Sequence, residues 1–212
     1  MINIHSHQKS SNNLSIRSYY EEPIKIEHYF SIGIHPWYLE NLNISELIKY
    51  WNHPLCIAIG EIGLDRLKKE SWDEQIEIFE NQLKLAPKNK PIILHCVKSY
   101  YEIIQILQKL NIENPCIFHD FNASIQITNQ LLKNNQFYFS YGKSLFRNKS
   151  KGLDSLKIIP IDRIFLETDE SNFSIDSIYL KFAQIRKMEI SDLIKKIENN
   201  FISIFPSSLS QP

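Results

Sequence analysis

Ile57-Ala58-Ile59-Gly60-Glu61-Ile62-Gly63-Leu64-Asp65 is the stretch that decides how this chain is read. Its apolar start, Ile57 to Ile59 running into Gly60, suits a strand buried on both faces, as in parallel sheets. Glycine on either side of Glu61 lets the backbone bend and lets another group approach closely. A carboxylate at the end of a buried strand is costly to desolvate unless it is paired or bound to a metal. The remaining strands supply the partners, and most of them are histidines.

Outward from this stretch the same pattern recurs. Residues 2–6 alternate as a strand and run into His5-Ser6-His7, whose two rings share one face of an extended chain. Leu14–Tyr19 reads as a short second strand with no helix before it. Tyr29–Ile34 reads as a third, stopped by Pro36, with His35 at its exit either facing a pocket or packed beneath a loop. Ile44–Trp51 is an amphipathic helix that precedes the Glu61 strand. Asp73–Leu85 places Ile76, Phe79 and Leu83 at helical spacing. Strands at Pro91–Cys96 and Cys116–Phe121 carry His95 and His119, with helices at Tyr100–Leu110 and Ile125–Leu132. Phe137–Gly142 and Arg163–Asp169 complete eight strands, and two helices close the chain at about 175–188 and 190–204.

Eight strands with intervening helices predict an α/β fold, a TIM-like (β/α)8 barrel. Glu61 to His95 is 34 residues and His95 to His119 is 24, close to the ~30 that a βαβ unit needs. His119 to Asp169 is 50 residues, enough for two units, but His7 to Glu61 offers only 54 for three. The N-terminal βα units are therefore expected to be shortened. No low-complexity tract or linker marks a second domain, so 1–212 is read as one barrel.

Composition narrows the function. Lys+Arg and Asp+Glu both number 24, which gives no broad electrostatic grip on nucleic acid, although local charge can still hold a phosphate. The three cysteines form no CxxC and suit reduced, buried thiols. No apolar run approaches membrane-spanning length and no signal-peptide pattern opens the chain. A cytoplasmic monomer that avoids membranes is expected.

Every strong candidate ligand stands at a strand exit: His5, His7, Glu61, His95, His119 and Asp169. In a βα barrel those exits converge on one face, where active sites lie. Imidazoles and carboxylates are what a divalent transition metal takes. One histidine there is coincidence. Four with two acids, all in one repeated position, define a metal site.

The order HxH, GxHP, GEIGLD, two strands ending in histidine, then ETD at 167–169 resembles the TatD-type metal-dependent deoxyribonucleases, from Ile4 to about Phe205. The resemblance implies a barrel of the metallo-dependent hydrolase type and a phosphodiesterase or deoxyribonuclease using a two-metal-activated water. It implies that His5, His7, Glu61 and Asp169 hold one metal, with Glu61 shared with a second that His95 and His119 complete. Glu61 and Asp169 are the catalytic candidates under the same resemblance. Two such ions ~3.5–4 Å apart clamp an in-line phosphoryl displacement. Four imidazoles favour zinc by softness, with magnesium or manganese set by availability. Asp65 and Glu167 are expected behind the ligands, as acceptors for the outer ring nitrogens.

This chain departs from the family around the substrate. Asn3 stands where the family has the acid of DxHxH. Val97 stands where an arginine follows His95, and the neighbouring Lys98 is no bidentate fork. Asp120 brings a negative charge next to His119, and Glu170-Ser171 replaces the usual run into proline. Arg66 is a replacement cation or a surface ion pair. His35, Arg66 and Lys98 are the substrate-binding candidates, and DNA or another phosphodiester is the expected partner. Two alternatives remain: an amide or ester hydrolase, such as one deacylating D-aminoacyl-tRNA, and a catalytically degenerate metal-binding barrel.

Overall fold

The computed structural model describes residues 1–8, 13–147 and 150–205. The strands are β1 (Ile2–Ser6), β2 (Leu14–Tyr19), β3 (Phe30–Ile32), β4 (Cys56–Asp65), β5 (Ile92–Val97), β6 (Cys116–Phe118), β7 (Phe137–Tyr141) and β8 (Ile164–Leu166). They form one sheet in the order β1 to β8, and the strand pairs whose register is resolved are parallel. The helices are α1 (Ile44–Trp51), α2 (Trp72–Leu85), α3 (Tyr100–Lys109), α4 (Ile125–Leu131), α5 (Lys151–Leu156), α6 (Ile175–Arg186) and α7 (Ile190–Ile204). The fold class is the (β/α)8 barrel. Among the described residues no helix separates β2 from β3, so the N-terminal units are short. No described helix is long and apolar enough to cross a membrane.

The chain groups into two compact units, Met1–Arg17 with Ile117–Pro212, and Ser18–Cys116. In the first, Phe118, Phe121, Phe139 and Phe165 are fully buried, and α6 and α7 add Ile178, Phe182, Leu193 and Ile197. Ser6 bridges Asp169, and the Asp169 amide donates to the His5 carbonyl at 3.0 Å, so the segment after β8 lies along β1. In the second unit all ten residues of β4 are buried. Each of Ile57, Ile59, Ile62 and Leu64 contributes roughly 1.5–3 kcal/mol by burial. That offsets desolvation of Glu61 and Asp65 on the same strand, which costs several kcal/mol per ion before pairing, by rough estimate.

β4 runs further than its sequence suggests. Glu61 lies mid-strand, because the pairing with β5 shifts register between Ile59 and Ile62 and then continues to Asp65 opposite Val97. Gly63, at φ 149°, makes this possible: a Cβ there would meet the His95 carbonyl oxygen at 2.0 Å. The bulge turns Glu61 and the later Asp65 towards one neighbour, His95.

Candidate metal centre

In the Ser18–Cys116 unit, Glu61 Oε1 lies 2.5 Å from His95 Nδ1 and 3.2 Å from His35 Nε2. The two ring nitrogens are themselves 3.2 Å apart. One donor atom from each residue falls within 4.8 Å of the others, and all three residues are buried. Behind them, His95 Nε2 stands 3.1 Å from Asp65 Oδ2. Asp65 also accepts from the Trp37 indole at 2.7 Å and the Leu67 amide at 2.8 Å. Burial pushes the Asp65 carboxyl up, but the bonds from His95, the Leu67 amide and Trp37 outweigh it and hold the group below the usual carboxylate range.

This arrangement assigns protons. An ionised Asp65 accepts the Nε2 proton of His95, which leaves the Nδ1 lone pair facing Glu61. A lone pair and a carboxylate oxygen at 2.5 Å repel each other unless a proton or a cation is shared between them. Such a contact needs a shared proton or cation, and the donor types, a carboxylate with imidazoles, are ones a divalent metal accepts. His35 is different: the Trp37 amide donates to its Nδ1 at 3.1 Å. A neutral His35 then carries its proton on Nε2, aimed at Glu61 as a donor.

The other unit holds a second set. Donor atoms of His5, His119 and Asp169 lie within 4.8 Å of one another. Asp169 Oδ1 is 3.7 Å from both His5 Nε2 and His7 Nε2. The His5 and His119 rings are 4.7 Å apart at their centroids. Glu167 Oε1 faces His119 Nδ1 at 3.4 Å and accepts the Asp120 amide at 2.7 Å, so the outer nitrogen of His119 has its acceptor. Lys143 donates to Asp169 Oδ2 at 2.7 Å. Burial raises the Asp169 carboxyl, yet the bond to His5 and the positive charges of His119, His5 and Lys143 hold it far below the usual range. It is a permanent anion, suited to a cation. Two imidazoles and one carboxylate are a donor set that zinc accepts.

The structure thus places His119 with His5 and Asp169, His7 beside Asp169, and His35 with Glu61 and His95. Of the substrate candidates, His35 stands among the donors. Arg66 is ion-paired with Glu102 and lies over the Trp72 ring at 4.3 Å, and Lys98 is exposed with φ 54°. Asn3 holds the Thr168 amide (3.1 Å) and hydroxyl (2.9 Å), which fixes the residue before Asp169. Sequence reasoning did not single out Lys143 or the Trp37–Asp65 bond. Lys143 follows Gly142 at the exit of β7, the repeated position that marked the histidines. The Trp37–Asp65 bond had no comparable signal.

Asp120 is a poorly placed anion. Its Oδ1 is buried without a hydrogen-bond partner, and burial together with the negative charge of Glu167 raises its pKa. A raised carboxyl stabilises the fold below the unfolded pKa and loses that contribution as pH rises through the folded value, so at neutral pH the anion is a cost. Asp120→Asn is expected to raise metal-free stability at pH 7 by about 1 kcal/mol. Asparagine also tolerates the φ of 37°. Thermal melts of both proteins at pH 4 and pH 7 check it: the gain should shrink at pH 4, and an equal gain at both would refute the cause.

Fold and donors together define a metal-dependent hydrolase of the (β/α)8 class. The chain belongs to the TatD related DNase family, whose sequence model matches residues 1–206. It is 35% identical over 150 residues to the uncharacterized metal-dependent hydrolase YabD of Bacillus subtilis, across 66% of this chain and 58% of YabD. It is 31% identical over 199 residues to a putative deoxyribonuclease TATDN1 homolog of Vairimorpha ceranae, across 87% of this chain and 73% of that protein. Its structure superposes on the TatD homolog YJJV of Escherichia coli with a TM-score of 0.79 at 20% identity, covering 90% of this chain and 85% of YJJV. These relatives do not favour the deacylase or the non-catalytic alternative.

Proposed function

We propose that this chain is a phosphodiesterase that removes nucleotides from nucleic-acid ends, holding two divalent ions, zinc by donor softness. One ion would be held by His5, His7, His119 and Asp169, the other by Glu61 and His95. The observation that carries the reading is the acceptor behind a ligand in each set: Asp65 behind His95 and Glu167 behind His119. Such supports are a mark of functional metal sites. Bound divalent ions would polarise the phosphoryl oxygens and lower the pKa of water.

The chain's own groups do the rest. Asp65 turns the Nδ1 lone pair of His95 towards Glu61, where a cation would be held. His35 directs its Nε2 proton at Glu61 and orients it. Asp169, held ionised, is a strong ligand and a weak base, so Glu61 is the better candidate to take a proton from the attacking water. One barrel acting as a cytoplasmic monomer completes the reading; the three free thiols suit a reducing compartment.

The test is release of nucleotides from single-stranded DNA and RNA by protein stripped with chelator and reloaded with zinc, manganese or magnesium. Activity should vanish on stripping and return on reloading, with two equivalents of metal by elemental analysis. A fully loaded protein that cleaves carboxylic esters but no nucleic acid would overturn the reading.

A further inference from the structure

We propose that Trp37, with Tyr38 beside it, is a stacking platform for a nucleobase of the substrate strand at the His35–Glu61–His95 set. This rests on the nucleic-acid reading above and names how the strand is gripped. Trp37 is 47% exposed and Tyr38 37%, large apolar rings left in water beside a buried polar cluster. Trp37 is also held at two points. Its indole N–H donates to Asp65 Oδ2 at 2.7 Å and its amide to His35 Nδ1 at 3.1 Å. The Tyr38 amide donates to the His35 carbonyl at 2.9 Å, and its ring stacks on Tyr20 at 4.6 Å.

Rings fixed before binding lose little conformational entropy when a ligand lies on them, which is why such aromatics make efficient contact surfaces. The Trp37 and Tyr38 centroids lie 6.2 and 5.5 Å from that of His35, next to the donors. Lys68 Nζ lies over one face of the Trp37 ring, 5.0 Å from its centroid, which leaves the opposite face for a base. That pairing suits a single strand, whose bases stack on aromatic rings while its phosphates meet positive charge. A base held there would set the adjoining phosphate towards Glu61 and His95. It would also supply part of the grip that the family's arginine, replaced here by Val97, does not.

The test compares two labelled strands of equal length, oligothymidylate and its fully abasic tetrahydrofuran analogue, binding the full chain by fluorescence anisotropy in EDTA, where no cleavage competes. Base stacking is worth about a 5- to 150-fold affinity ratio per base. The wild-type protein should show a ratio in that range. Trp37→Leu should bring the ratio near one, while Trp37→Phe, which keeps a ring but loses the bond to Asp65, should keep most of it. Tyr38→Leu should lower it in part and leaves the Trp37 bonds to Asp65 and His35 intact. A wild-type ratio of one overturns the platform whatever the variants do. So does equal loss in Trp37→Leu and Trp37→Phe, which would make the indole a positioning residue for Asp65 alone. Hydrolysis is read separately: a preserved ratio without cleavage sinks the nuclease reading and leaves the platform, and cleavage with a ratio of one does the reverse.

Discussion

A chain carrying His95→Ala is expected to lose metal-dependent hydrolysis by on the order of a thousandfold or more. Removing an acceptor behind a ligand commonly costs about 10–100-fold, and removing the ligand itself takes more. His95 is the partner of two buried carboxylates, facing Glu61 through Nδ1 and Asp65 through Nε2. Its removal leaves the buried Asp65 charge without that partner, so the metal-free fold should also weaken, by about 3–5 kcal/mol. His95→Gln separates the two effects, since its amide fills the gap and restores a polar contact without an imidazole ligand. It should recover most of the stability and little of the activity. Elemental analysis should show one equivalent of metal lost in both variants. Activity retained within tenfold in His95→Gln, at full metal content, would remove His95 from the centre.

Asp169→Asn should have an effect of similar size by another route. The amide keeps the shape, but the negative charge that meets His5, His7 and Lys143 is gone. Activity should fall by about a thousandfold, and metal should be lost from the set of His5, His7, His119 and Asp169. Stability provides the control. The depressed carboxyl gives a contribution that is present above its unfolded pKa, near ~4, and is lost as pH falls through the lower folded value. Metal-free wild type should therefore destabilise as the pH drops below about 4, and Asp169→Asn should flatten that acid limb. Denaturant unfolding between pH 2 and pH 7 measures it. Parallel acid limbs in the two proteins would show that Asp169 is not held as a native anion.

Much of this molecule can be read from its residues in order. The alternation in Ile2–Ser6, the apolar run before Gly60 and the helical spacing of Ile103, Ile104, Ile106 and Leu107 are local signals, and each became the element it suggested. The shortage of chain between His7 and Glu61 foretold that, among the described residues, no helix separates β2 from β3. The order HxH, GEIGLD and ETD pointed to the family. Helix ends were less legible: α5 was not anticipated, because six residues capped by Ser150 carry too little periodicity.

What local pattern determined was the type and order of elements and the residue chemistry at each strand exit. Periodicity reports which face of a strand or helix is buried, and a residue's donor atoms come with its identity. The resemblance had already grouped His5 with Asp169 and set Asp65 behind a ligand; tertiary structure alone decided the remaining partners. His119 stands with His5 and Asp169, Asp65 holds both His95 and Trp37, and Lys143 reaches Asp169. Those pairs are separated by 26 to 164 positions, and their meeting depends on strand register. A one-residue shift in register turns every side chain to the opposite face, and at β4 that register hangs on the bulge at Gly60–Gly63, which no spacing of letters reveals.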